Sequence, residues 1–265
     1  MDNQFDISVF NSKLSTQWLG RSVCYFKELE STNSYVKKLP KEEVDQGMIC
    51  LTDNQFKGRG QYRRKWESET GKNLTFSLVF QPQAVAGFHV LTLACALALV
   101  EQLDSLMDES SCAYIKWPND VMLKRKKVAG LLTETVFNGN QLDRLIFGMG
   151  LNINQASFSS DLADKATSIH LETGKVINRE DFLCELLGRI EHKYNLWHRR
   201  QEGLVKSINR NIHGYGQWIG LKVNDQLRED SYKMLGVDES GKLLMLNQDG
   251  GIESFSYEQI RLVTD

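Results

Sequence analysis

From Val23 onward, short runs rich in β-branched and aromatic residues alternate with longer apolar-periodic stretches. Val23–Leu29, Met48–Thr52, Leu74–Phe80, Ala113–Trp117, Val128–Val136 and Leu145–Leu151 are bounded by turn residues and predict strands. Thr32–Leu39 opens with Ser/Thr/Asn capping candidates and stops before Pro40, which predicts a short helix. Val90–Met107 is rich in Leu and Ala and predicts a helix packed on a sheet. Asp181–Arg200 carries the clearest helical period, with Leu183, Leu186, Leu187, Ile190, Tyr194 and Trp197 on one face and Asn178 as its N-cap. A further helix is expected over Glu202–Ile212. Beyond Gly214-Tyr-Gly216 the texture changes to five short strands, Leu221–Leu227, Ser231–Val237, Lys242–Asn247, Ile252–Ser256 and Ile260–Val263. The pattern predicts an α+β domain over residues 1–217 with a small barrel-like β module over 218–265 appended to it. Residues 1–22 read as irregular, with one apolar cluster at Trp18 and Leu19.

Composition narrows the class. The chain has 265 residues, 41% hydrophobic and 25% charged, enough to bury a core without disulfide or metal. Its 32 Lys+Arg against 34 Asp+Glu leave a net charge of −2, so the whole-chain basic footprint of a nucleic-acid binder is missing. The longest apolar run, Val90–Val100, falls short of the ~20 residues that span a bilayer. Neither a membrane nor a nucleic-acid partner is expected. The first residues lack a basic, then apolar, leader, and the five cysteines show no C-x-x-C spacing. Both point to a cytoplasmic protein with reduced, mostly buried thiols.

Familiar nucleotide and metal signatures fail. Gly236-Val-Asp-Glu-Ser-Gly-Lys-Leu243 departs from a P-loop at its last position and lies between two strands, so it reads as a hairpin turn. The five histidines lack metal-ligand spacing, and no serine nucleophile elbow is present. Four other segments carry chemistry. Lys57-Gly-Arg-Gly-Gln-Tyr-Arg-Arg-Lys-Trp66 gathers five cations, and Gly58 and Gly60 let the backbone at Arg59 fold tightly around an anion. Trp66 could cover an aromatic base. In Lys116-Trp-Pro-Asn-Asp120, Pro118 fixes the direction in which Asn119 and Asp120 leave a strand end. Lys127-Val-Ala-Gly130 opens a strand with a cation and leaves a gap at Gly130 where a ligand could reach the backbone. The turn Lys124-Arg-Lys126 before it reads as exposed, and Gly148-Met-Gly-Leu-Asn152 is a glycine-rich strand end.

Together with Ser31-Thr-Asn33, Gln55 and Gly71-Lys-Asn-Leu74, these segments resemble, in order and spacing, the catalytic domain of biotin protein ligases (biotin–[acetyl-CoA-carboxylase] ligases). The resemblance runs from about Glu28 to Asn152 and more loosely on to Ile260-Arg261. It implies the mixed β-sheet with packed helices shared by biotin and lipoate ligases, plus a small C-terminal SH3-like barrel. The implied reaction joins biotin and ATP into biotinyl-5′-AMP, then passes biotin to a lysine of a biotin carboxyl carrier protein. Mg²⁺ is expected on the ATP phosphates and not on a protein motif of its own. The Ser-Thr-Asn motif begins at residue 31, so the monofunctional type is expected, without the N-terminal DNA-binding repressor domain. The carboxylase that supplies the acceptor stays open, as does the choice between monomer and homodimer.

The resemblance also assigns roles. Ser31, Thr32, Asn33 and Gln55 line the biotin head group, Gly58, Arg59, Gly60 and Gln61 close over its tail, and Lys127 and Gly130 complete that side. Arg59, Arg64, Trp66, Lys116, Asn119, Lys127, Asn152 and Arg261 face the nucleotide. Arg59, Lys127 and Asp120 are the candidate catalytic groups, Asp120 for the acceptor amine. Family members commonly carry Arg where this sequence has Gln61, and Arg63 or Arg64 is expected to take over part of that charge. Lipoate or octanoyl ligation, a non-catalytic sensor and nucleic-acid binding at the basic loop are the rival readings. Gly-Arg-Gly and Lys-Trp-Pro-Asn-Asp favour the biotin branch.

Overall fold

In the computed structural model, which describes residues 4–60, 65–82, 87–107, 112–224 and 226–263, seven strands form the main sheet. They are β1 (Val23–Leu29), β2 (Ile49–Gln55), β3 (Leu74–Phe80), β4 (Ala113–Lys116), β5 (Asp120–Leu123), β6 (Lys126–Asn138) and β7 (Gln141–Leu151). Their spatial order is β1-β2-β3-β7-β6-β5-β4. β1 and β2 run parallel, joined through the helix α2 (Thr32–Lys38), and every other pair is antiparallel.

The two-residue period of the strands decides what each face carries. Leu74, Phe76, Leu78 and Phe80 of β3 join Ile49, Leu51, Leu145, Phe147, Met149 and Leu151 in one large core. Against that face lie α3 (Phe88–Leu106) and α5 (Arg179–His198), with α1 (Ile7–Lys13) packed on α5. α3 is buried nearly all round, as expected of a helix apolar on every side. It is a core helix, although its length and composition alone would let it cross a membrane. The alternate residues Cys50, Val79 and Ile146 meet Val36 of α2 in a second, smaller core on the opposite face. Each buried Phe or Leu adds about 1.5–3 kcal/mol to the folded state.

On this second face the registers align a row across the sheet: Thr52, Thr75, Gly150, Gly130, Asp120 and Lys116. Two glycines at its centre make a trough. A second row, Cys50, Ser77, Gly148 and Leu132, runs beside it.

Beyond β7 come the short helix α4 (Ile169–Thr173), then α5 and α6 (Leu204–Arg210). β8 (Trp218–Val223), β9 (Gln226–Leu227), β10 (Tyr232–Val237), β11 (Leu243–Leu246), β12 (Ile252–Phe255) and β13 (Ile260–Val263) form a curled antiparallel sheet, the SH3-like module. The Gly236–Leu243 segment is the β10–β11 hairpin, as its setting between strands predicts. Leu221, Met234, Leu243, Met245 and Ile260 merge with the main core, so the module packs on the body. Asn209 of α6 adds polar stitching, accepting from Val237 N at 2.7 Å and donating to Val237 O at 3.0 Å.

The structure corrects several boundaries. The first 22 residues are not all irregular, because Asp6 caps α1 by accepting from Ser8 N and Val9 N. Asp120, expected to leave a strand end, itself opens the strand β5. The expected strand 221–227 is a hairpin, β8 and β9. All five cysteines are free, and burial pushes the Cys184 thiol up to about 11.

Candidate active site

The trough opens into a cleft of about 670 Å³, walled by α2, the loop after β2, β4 to β7 and the C-terminal module. Ser31 caps α2 by accepting from Ser34 N at 3.3 Å, which places Thr32 and Asn33 on the first turn. Gln55, at the end of β2, accepts from Thr32 N at 2.9 Å. Ser77 Oγ sits 2.7 Å from Thr32 Oγ1 and 2.6 Å from Asn33 Oδ1. Asn33 Nδ2 donates to Leu132 O at 3.1 Å and to Glu134 Oε2 at 2.9 Å. The Asn33 carboxamide is thus spent on the protein, and it fixes one end of the wall. Gly148 is required beneath it, since a Cβ there would stand 2.4 Å from Asn33 Oδ1.

Trp66 fills the trough. Its backbone N–H donates to Gly58 O at 3.1 Å, and a Cβ on Gly150 would lie 2.3 Å from its ring. The gap at Gly130 is therefore occupied by the Trp66 ring and the Lys127 side chain, 3.2 and 3.0 Å from an added Cβ. Lys127 Nζ lies 5.6 Å from the ring centroid and 2.6 Å from Asp120 Oδ1. The Lys127 backbone is fixed independently, donating to Lys165 O at 2.8 Å and accepting from Thr167 N at 2.9 Å.

Two buried polar atoms of the wall have no partner among the described residues: Trp66 Nε1, a donor, and Asn152 Oδ1, an acceptor. Asn152 is held at its other end by donation to Thr167 O at 3.0 Å. A buried unsatisfied group costs about 1–3 kcal/mol, so this pair favours a ligand that supplies both partners.

Charge points the same way. Arg59, Lys65, Lys116, Arg125, Lys127, Lys165 and Arg261 line the cleft against Glu67, Asp120 and Asp164, an excess of cations in an acidic chain. His213 stacks on Tyr114 at 4.9 Å, and its pKa is held below the usual histidine range by burial and then by Lys116 and Arg125.

Nearly every residue singled out in the sequence lines this cleft. Gly58 stands just behind it, under Trp66. The Asn119 side chain turns to the backbone and donates to Leu131 O at 2.6 Å. Arg261 reaches the cleft from β13 while donating to Tyr257 O and Ile260 O. Gln61, Arg63 and Arg64 lie outside the described residues. Sequence reasoning missed Ser77, Glu134, Arg125 and Lys165. A serine inside the mostly apolar run Leu74–Phe80 and a glutamate on β6 were the available signals for the first two.

Residues 25–152 match the biotin/lipoate A/B protein ligase family. The chain is 29% identical over 242 residues to the bifunctional ligase/repressor BirA of Bacillus spizizenii, covering 89% of this chain and 73% of that protein. It is 34% identical over 158 residues to a biotin–[acetyl-CoA-carboxylase] ligase of Paracoccus denitrificans, covering 58% and 65%. Among solved structures, the biotin protein ligase of Aquifex aeolicus in complex with biotin and ATP superposes with a TM-score of 0.79 at 28% identity, covering 92% of this chain and 100% of that one. Residues 25–152 therefore form a domain of the biotin/lipoate A/B protein ligase family, and the chain is a ligase similar over most of its length to biotin protein ligases.

Proposed function

We propose that this chain activates biotin with ATP and transfers it to a lysine of a biotin carboxyl carrier protein. The observation that carries the reading is the cation excess around a trough that also holds an orphaned acceptor and donor. In the first step a biotin carboxylate oxygen attacks the α-phosphorus, the bond to the bridging oxygen breaks, and pyrophosphate leaves with the electron pair. Two anions must meet, and Arg59 and Lys127 neutralise them, more strongly as charge builds in the transition state. Ser31, Thr32 and Gln55 offer fixed polar groups for the ureido ring. Asn152 Oδ1 suits a donor such as the adenine amino group, and the Trp66 face suits a flat ring. Arg261 and the rest of residues 218–265 close the nucleotide side.

Among the described residues no three His, Cys, Asp or Glu converge on a metal site. Mg²⁺ would therefore be carried by the ATP phosphates, where it would offset the charge of the leaving group.

In the second step a lysine amine attacks the acyl carbon and AMP leaves. A lysine of pKa ~10.4 is unprotonated about once in 2,500 at pH 7, a handicap of roughly 4.6 kcal/mol. Asp120 holds Lys127 at 2.6 Å. Once Lys127 turns to the adenylate phosphate, Asp120 becomes available to take the proton of the incoming amine.

The deciding assay is biotin-dependent ATP–pyrophosphate exchange, and its absence in the wild-type protein removes the ligase reading. Asp120→Asn is expected to slow transfer from preformed biotinyl-5′-AMP about 10²–10³-fold while changing exchange less than about 10-fold. Equal activity of wild type and variant in both steps would remove Asp120 from the mechanism.

A further inference from the structure

Among the described residues Glu134, on β6, is the carboxylate bonded to both Arg59 of the cationic loop and Asn33 of the polar wall, and none of the roles above uses it. Its side chain is 18% exposed and three donors converge on it. Oε2 accepts from Asn33 Nδ2 at 2.9 Å and from Arg59 Nη2 at 3.2 Å, and Oε1 stands 3.4 Å from Lys37 Nζ. The same Arg59 Nη2 donates to Ser34 Oγ at 2.9 Å, so α2 and β6 bracket one edge of the guanidinium. A guanidinium is planar with donors in a fixed fork, and pinning one edge sets the direction of the others. Arg59 lines the cleft while held in this way.

A carboxylate beside a site for two anions would oppose binding if left unpaired, and here it is neutralised by Arg59 and Lys37. Its second link runs through Asn33. The Asn33 carboxamide is fixed by Ser77 and by Leu132 O, and the neighbouring Thr32 is fixed by Gln55. Glu134 Oε2 therefore joins the loop cation to the wall opposite it through one atom.

We propose that Glu134 is a positioning residue of the reaction, setting the direction of Arg59 and tying it, through Asn33, to the wall formed by Thr32, Gln55 and Ser77. The proposal rests on the reading of Arg59 as the group that meets the reacting anions. It assigns Glu134 no contact with substrate.

The test uses Glu134→Gln, which keeps volume and an acceptor for Asn33 but removes the charge that holds Arg59. In ligand-free protein, tryptic cleavage after Arg59, read by mass spectrometry, is expected to accelerate about 5-fold, because cleavage tracks the population of the released side chain. In biotin-dependent exchange, kcat is expected to fall about 10-fold, with KM for biotin within about 2-fold, as for a misdirected group and not a lost binding contact. Glu134→Asp keeps the charge and is expected to return both readouts at least halfway to wild type. Thermal midpoints of all three proteins show that each is folded. An unchanged cleavage rate in Glu134→Gln overturns the proposal whatever the activity shows. So does a rise in KM with kcat unchanged, or an aspartate variant no better than the glutamine one. A wild-type protein without exchange would instead overturn the ligase reading, and the cleavage measurement would still decide whether Glu134 holds Arg59.

Discussion

Replacing Lys127 by alanine is expected to lower biotin-dependent ATP–pyrophosphate exchange about 10²–10³-fold, the usual effect of removing one group that stabilises developing charge. The effect is specific to chemistry because the fold does not depend on the side chain. Lys127 is anchored through its backbone, to Lys165 O and Thr167 N, and both lie on the segment after β7. Its only ion pair among the described residues, with Asp120, leaves the side chains 34% and 27% exposed. Such a pair contributes at most about 1 kcal/mol after solvent screening. The thermal midpoint should therefore stay within a few degrees of wild type while exchange collapses. Lys127→Arg separates charge from shape: a cation remains, but its planar head replaces a compact ammonium packed against Gly130 and Trp66. Its activity is expected between those of wild type and the alanine variant. Full exchange by Lys127→Ala would remove the lysine from the mechanism.

The sheet was legible in the sequence because its strands are apolar on both faces or alternate cleanly. Val23–Leu29 and Leu74–Phe80 carry the predicted limits. α5 was legible for a similar reason, its long apolar stripe ending in an Asn cap that accepts from Asp181 N at 2.8 Å. α1 was not, since seven residues with Phe10 as the single buried side chain give no period, and the helix depends on α5 for packing. Nor was β5, a four-residue strand whose partners are fixed by pairing with β4 and β6.

The site divides along the same line. Motifs compact in sequence, such as Gly58-Arg-Gly60 and Lys116–Asp120, could be read directly. Ser77 and Glu134 act through register. Ser77 reaches Asn33 because it pairs with Gly148, and no local pattern reports which residue will stand opposite. The gap at Gly130 was read correctly as a missing side chain, but its occupant, Trp66, comes from a segment 64 positions away in the chain.

Arg179→Ala is expected to destabilise the protein by about 3–5 kcal/mol, the largest stability effect the structure suggests. Arg179 and Asp53 form an ion pair at 2.8 Å with side chains only 5% and 7% exposed. Arg179 Nη1 also donates to Asn73 O at 3.1 Å, and the guanidinium lies 5.7 Å from the Phe5 ring. Asp53 Oδ2 accepts from Phe5 N and from the Tyr25 hydroxyl, whose pKa is pushed above the usual tyrosine range by burial and then by Asp53. The network thus joins β1, β2, the start of α5 and the segment before α1. Removing the cation leaves a buried carboxylate with no charge partner among these contacts. The loss is best read as the denaturant midpoint, together with a fall in thermal midpoint of roughly 10 °C. The cost should lie in the orphaned charge more than in lost attraction. Arg179→Ala combined with Asp53→Asn is then expected to recover more than half of the loss, because the amide can still accept from Phe5 N without a counter-ion. A double variant no more stable than Arg179→Ala alone would show that the arginine acts by packing on Phe5 and by holding Asn73 O, and that the ion pair contributes little.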